Sequence, residues 1–162
     1  MIVVADTSPL NYLIQIELDR LLRTLYQQVL VPPAVMQELN HPAAPAAVQA
    51  WLRHLPFWIT IVLPNAEHDR TLRSLDPGER EAIQLAQQQH ADILLIDERK
   101  GRQEAQRRGL LTTGTLGVLI TAADLELIEP EAAYDRLIAT TTFRSTAQLR
   151  ASFLDAVRRC NP

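Results

Sequence analysis

Two aspartates in this chain each directly follow an apolar run: Asp6 after Ile2-Val3-Val4-Ala5, and Asp97 after Ile93-Leu94-Leu95-Ile96. A residue that ends a buried strand emerges at the edge of its sheet, so neighbouring strands would bring both carboxylates together. Glu38 adjoins Leu39 and lies one turn from Val35, which places it on the border of an inward helical face. Glu79 shares a face with Ala82, Ile83 and Ala86, whereas Glu81 is rotated toward Leu85, so Glu79 is the better placed of the two. Two unit charges ~4 Å apart repel by about 4 kcal/mol at an effective dielectric near 20. A divalent cation offsets that repulsion, and an all-carboxylate set of hard oxygen donors suits Mg²⁺ or Mn²⁺. His41, His54, His68 and His90 are scattered, and the chain contains neither HExxH nor CxxC. Cys160, the single cysteine, has no internal disulfide partner and reads as a tail residue without chemistry.

Each acid also has a structural reading. Asp76-Pro77-Gly78-Glu79 fits a capping box in which Glu79 reaches back to the Asp76 N–H. Asp97 fits as the cap of the helix after it, Asp6 as a turn residue and Glu38 as a solvated helix acid. The chemistry therefore rests on the set of acids and not on any one of them.

The elements that must position the set follow from periodicity. A strand at Ile2 to Ala5 leads into a helix that Ser8 can cap with Pro9 at its first position. Leu10, Leu13 and Ile14 recur at helical spacing, and a second helical stretch runs through Leu18, Leu21, Leu22 and Leu25. Val29-Leu30-Val31 reads as a strand, followed by a helix carrying Val35, Met36 and Leu39. The Ala-rich stretch from Ala43 to Leu55 reads as helix, and Trp58 to Val62 as strand. A helix from about Pro77 to Gln89 starts from an Asp76 cap. The Ile93 to Ile96 strand precedes a charged helix from about Glu98 to Arg108 that stops at Gly109. Leu110 to Thr113 reads as a short strand, with helices through Leu116 to Ala123, Glu131 to Ala139 and Thr146 to Arg159 beyond it. Strands alternating with helices imply an α/β fold: three layers, α/β/α, around a mostly parallel sheet of about four to five strands. A site then belongs at the carboxyl ends of the strands.

At 162 residues and 47% hydrophobic, the chain suits a single domain over 1–162, with 131–162 as a helical C-terminal extension. The Ile2 to Ala5 run is too short for a signal segment or a membrane span, which leaves the cytoplasm as the expected compartment and no membrane partner. A net charge of −3 excludes a surface that is basic throughout, while leaving room for a local basic patch.

Taken together, these residues resemble the PIN-domain family, in particular the VapC-like toxins and related PIN-like proteins of uncharacterised function. VVADTSPLNYL is similar to the family's opening strand and turn, and VPPAVMQEL to its second strand and helix with an inward Glu. LDPGEREAIQLA followed by ADILLIDERKGR resembles the third and fourth acidic elements, and GTLGVL at 114–119 is typical of one sub-branch. The resemblance spans nearly the whole chain. It implies a PIN-like fold with Asp6, Glu38, Glu79 and Asp97 around Mg²⁺ or Mn²⁺, and Thr7 or Ser8 as a supporting hydroxyl. It further implies a metal-dependent endoribonuclease acting on single-stranded RNA, the toxin of a toxin–antitoxin pair, with a small antitoxin protein as partner and a homodimer as assembly. In the implied reaction, water attacks a phosphodiester while the metal orients it and neutralises developing charge. Asp6 and Asp97 would be principal ligands, and Glu38 and Glu79 would act through water or as base. The chain departs from its relatives at two places. The third acid is Glu where Asp is usual, so Glu79 and Glu81 both stand as candidates. Asp97 and Glu98 follow their strand with no spacer, so either or both can face the ion.

Arg99, Lys100, Arg102, Arg107 and Arg108 crowd the segment after Asp97. Arg99, Lys100 and Arg102 are candidate phosphate contacts; the alternative is a solvated helix face paired with Glu98 and Glu104, with Arg107 and Arg108 favouring the helix C-terminus. Tyr12, Trp51, Trp58 and Phe143 read as core or interface residues rather than base platforms. Two rival functions remain: a catalytically inactive PIN-like module that binds nucleic acid or protein, and a phosphatase using Asp6 as nucleophile. The second places another Asp two positions on, where this chain has Ser8.

Overall fold

The computed structural model describes residues 1–65 and 69–160. His68 lies outside the described residues, as does the Cys160 side chain. The apolar runs form five strands, β1 (Val3–Ala5), β2 (Val29–Val31), β3 (Ile59–Ile61), β4 (Ile93–Leu95) and β5 (Thr112–Thr113). All pairings among them are parallel, in the order β3-β2-β1-β4-β5. β1 sits at the centre and all three of its residues are fully buried, as a strand covered on both faces requires. The order runs outward from β1 in both directions, so the winding reverses between β1 and β4. That reversal is where an open α/β sheet forms a crevice beyond its carboxyl ends.

The pleat sorts the strand residues into two cores. Val3, Ala5 and Leu95 face one cluster; Val4, Leu94 and Ile96 face the other. On the first face lie α1 (Thr7–Gln15), α2 (Arg20–Tyr26), α4 (Ala46–Arg53) and α7 (Thr115–Asp124). Tyr134 and Leu137 of α8 (Pro130–Thr140) and Phe153 and Val157 of α9 (Ala147–Cys160) join the same cluster. The second face is covered by α5 (Pro77–Gln88), α6 (Arg99–Arg107) and a 3₁₀ turn at Arg70–Ser74. α3 (Pro33–Leu39) buries Val35 and Leu39 in the first core while packing against α5. The result is the expected three-layer α/β/α arrangement. Among the described residues, no helix is long and apolar enough to cross a membrane.

One local expectation needs correction. α1 begins at Thr7, so Asp6 occupies the cap position and Ser8 is the second helical residue. The cause is the sheet: the Asp6 N–H donates to the Leu95 carbonyl (2.9 Å), holding Asp6 extended before the chain turns into helix. The 3₁₀ turn, which has no counterpart among the elements read from the sequence, is capped by Asp69 and buries Leu72. Arg108 pairs with Asp69 (2.7 Å) as well as with Glu104 (2.9 Å), tying the turn to the end of α6.

α3 shows how the sequence solves a helix start without its own cap. Pro32 precedes the helix and Pro33 opens it, so neither supplies a side-chain acceptor nor an N–H. The Ala34 N–H donates to Glu81 Oε2 on α5 (2.9 Å). Glu81 is thus a cap for α3, and this locks α3 onto α5. Replacing Glu81 by Ala is expected to cost about 1 kcal/mol of stability, read as a lower urea midpoint at unchanged slope; an unaltered midpoint would refute this role.

Candidate functional site

At the carboxyl edge of β1 and β4 the register is Ala5 opposite Leu95, and the ladder continues through Asp6. Asp6 and Asp97 therefore leave adjacent strands at the same edge. Asp6 is 2% exposed, its Oδ1 is buried without a hydrogen-bond partner, and its pKa is pushed up from 3.8 to about 8. Burial is the largest cause. The Thr7 N–H opposes it, and repulsion from Glu79, Glu38 and Asp97 adds to it. Asp6 is the group on which all the other predicted acids act.

The other three carboxylates sit on helix N-termini. Glu38 accepts from the Gly78 N–H (2.7 Å) in the first turn of α5 and from the Thr7 hydroxyl. Asp97 accepts from both the N–H (2.8 Å) and the hydroxyl (2.7 Å) of Thr115, so it caps α7 and not the α6 helix that follows it in sequence. Burial raises its pKa, against the Thr115 hydrogen bonds and Arg102. Glu79 is 7% exposed and completes the capping box, its Oε2 accepting from the Asp76 N–H (3.2 Å). Its Oε1 is buried and unpartnered, and burial raises its pKa as well. Capping and site membership are compatible for Glu79 because a carboxylate has two oxygens.

Three glycines make room for these side chains. A Cβ at Gly78 would lie 2.8 Å from Glu38 Cδ; at Gly101, 2.7 Å from Glu79 Oε1; at Gly114, against Asp97 Oδ1 and 2.9 Å from Arg102 Nη2. Any larger residue would push a carboxylate out of place. Glu98 is exposed, takes the backbone cap position of α6, and acts electrostatically on both Glu79 and Asp97.

The donor chemistry fits a hard divalent cation. Two buried carboxylate oxygens have no proton donor, and an ion would satisfy such atoms as no apolar neighbour can. Among the described residues, no three Asp, Glu, His or Cys side chains converge tightly enough to enclose an ion by themselves. A magnesium-type ion that retains several waters needs only one or two direct carboxylates.

A family model described as a PIN domain matches residues 2–159 of the chain. The chain belongs to the PIN-domain family. Neither a curated protein nor a solved structure matches it. PIN domains are in general nucleases that bind nucleic acid and typically use divalent metals.

In this PIN domain the predicted cations divide. Arg99 and Lys100 are exposed and have no ion pair among the described residues. Arg102 is half-buried, and its Nη2 donates to the carbonyls of Ile96 and Asp97 (3.2 Å each), so it braces the backbone that carries Asp97. Beside Asp97 opens a groove of about 920 Å³ between α1, α7 and α9. Ser8 lines this groove, while Thr7 faces Glu38. Sequence reading missed Thr115 and the three glycines. Thr115 lies 18 residues from its partner Asp97, and the glycines signal only a need for space, so neither has a local pattern to find.

The burial of Asp6 makes metal-free stability depend on pH. Its folded pKa of about 8 exceeds its ordinary 3.8, so the folded state holds a proton that the unfolded state releases. The stability this supplies is complete below about pH 4 and is lost as pH rises through 8, at no more than about 1.4 kcal/mol per unit. Chemical denaturation in chelator should show this fall between pH 5 and 8, and Asp6→Asn should make it shallower, leaving the smaller part due to Glu79 and Asp97, and be the more stable protein at pH 8. A mutant less stable than wild type at pH 8 would instead make Asp6 a structural cap.

Proposed function

We propose that this PIN domain, acting as one unit over 1–162 with 131–162 as its helical extension, is a divalent-metal-dependent endoribonuclease that hydrolyses single-stranded RNA. The observation that carries the reading is the unpartnered Oδ1 of Asp6, buried where Glu38, Glu79 and Asp97 all raise its cost of ionisation. Mg²⁺ or Mn²⁺, when bound, supplies an oriented water and neutralises charge on the phosphoryl oxygens. Asp6 and Asp97 would be the principal groups holding the ion, with Glu38 and Glu79 acting through water or as base. Glu79 Oε1, which has no donor, serves as the acceptor for the proton of the attacking water. Thr7 orients Glu38, Thr115 orients Asp97, and Arg102 holds the Ile96–Asp97 backbone. Arg99 and Lys100 meet the phosphates of the incoming strand.

The biological setting we infer is that of a VapC-like toxin in the cytoplasm, held by a small antitoxin protein and assembled as a homodimer. The exposed Phe57, Ile61 and Leu63 around edge strand β3 offer apolar surface for such partners. A second reading, an inactive binding module, draws on the capping roles of Glu38, Glu79 and Asp97, which the fold needs whether or not catalysis occurs. Covalent use of Asp6 by a phosphatase is disfavoured by its burial and by Ser8 two positions on, where that chemistry places a second Asp.

Asp6→Asn and Asp97→Asn are each expected to lower Mg²⁺- or Mn²⁺-dependent cleavage of single-stranded RNA at least about 100-fold while circular dichroism stays unchanged. Equal cleavage by wild type and mutants would end the ribonuclease reading, and RNA binding without cleavage under either metal would favour the inactive module. Expression without a neighbouring antitoxin gene should arrest growth in an Asp97-dependent way; growth unaffected by expression would remove the toxin assignment alone.

A further inference from the structure

The groove beside Asp97 has features that the hydrolytic site does not use. Its acidic end is Asp97 and Glu98, and its far wall comes from the 142–144 segment and α9. Gly114 and Gly117, the two glycines of the GTLGVL segment, lie along its floor. A Cβ at Gly117 would collide with the Thr113 hydroxyl, so the glycine keeps that hydroxyl in the groove. The hydroxyls of Ser8, Thr113, Thr142 and Ser152 line the groove and have no hydrogen-bond partner among the described residues. Phe143, expected from the sequence as a core or interface residue, is half-buried against the first core and stands edge-on to Tyr12 at 5.3 Å on the same wall. Next to it, Arg144 is exposed and has no ion pair among the described residues.

The geometry points to this groove as the subsite for one unpaired nucleotide of the substrate strand, adjoining the phosphate to be cut, with its base against Phe143 and the hydroxyls and its own phosphate on Arg144. A phosphate is repelled at the acidic end unless a cation intervenes, so Arg144 fixes which end of the groove the flanking phosphate takes. An aromatic face is the surface on which unstacked bases rest, and unshared hydroxyls can read a base edge or a 2′-OH. At about 920 Å³ the space accommodates a splayed nucleotide, whereas a paired base is held within its duplex. This assignment rests on the nuclease reading for the strand's position relative to the acids.

The test is binding of a 5′-fluorescein eight-nucleotide single-stranded RNA by fluorescence anisotropy, with Ca²⁺ in place of Mg²⁺. Arg144→Ala removes an exposed charge and Ser152→Phe fills the groove from an exposed position of α9, so both variants keep their folds. Each is expected to weaken binding at least about fivefold, and Arg144→Ala to reduce the salt slope by about one. Arg53→Ala, an equal loss of charge on α4, should change Kd less than about twofold, and the same RNA annealed to its complement should compete poorly. Equal effects of Arg144→Ala and Arg53→Ala, wild-type affinity in Ser152→Phe, no binding by wild type, or equal binding of duplex would each overturn the subsite. Cleavage plays no part in this measurement. A wild type that fails to cut RNA while the groove variants weaken binding removes the nuclease reading alone; cleavage with unaltered binding removes the subsite alone.

Discussion

The carboxylate of Asp6 is held where water barely reaches it, within the field of three other acids, and the surrounding structure can be understood as the means of keeping it there. Hydrogen bonding along β4 fixes its backbone, and the turn into α1 prevents it from swinging toward solvent. Charge of one sign in a poorly hydrated edge is costly, and the fold offsets part of that cost with backbone amides. The first turns of α5 and α7 present N–H groups to Glu38 and Asp97, where the positive ends of the helix dipoles also lie. The residue of that cost falls on Asp6 Oδ1 and Glu79 Oε1, the two oxygens left without donors.

Accommodating the acids also limits what the backbone can carry. Gly78, Gly101 and Gly114 come from three different helix starts, yet each is excluded from bearing a side chain by a different carboxylate or its neighbour. Glycine in an element's interior gives up conformational entropy relative to alanine, roughly 0.5–1 kcal/mol. Stability is therefore conceded at Gly78 and Gly101, inside α5 and α6, whereas Gly114 stands at the cap position of α7, where glycine is favoured. A fold that needed these acids only as caps would satisfy them at the helix surface, where no such concession arises.

Much of this was legible because strands and amphipathic helices leave periodic traces. Val3 to Ala5 and Ile93 to Leu95 were readable as buried strands, which made Asp6 and Asp97 candidates before their adjacency was known. The choice of Glu79 over Glu81 also followed from a helical face, and the structure gives Glu81 a separate task at Ala34. What the sequence hid are pairings between distant segments. Asp97 reads locally as the cap of α6 and serves α7 instead; Arg102 reads as a free cation and is bound to the carbonyls of Ile96 and Asp97. Phe143 reads equally as core or interface because an aromatic side chain has no polar mark to signal that a groove will open beside it.

The pleat explains why the acids share a site without forming a closed cage. Along β1, Val4 points to the α5 face, and Asp6, two residues on, keeps the same parity; Glu79 of α5 is accordingly the strongest of the charges that act on it. Along β4, Leu95 points to the α7 face, and Asp97 shares its parity and meets Thr115 of α7. Adjacent parallel strands thus deliver their terminal acids to opposite sides of the sheet. The acids therefore share an edge without three of them, among the described residues, enclosing a common point. Thr7 and Glu38 line one recess beside α1, and Ser8 and Asp97 line the groove on the other side of that helix.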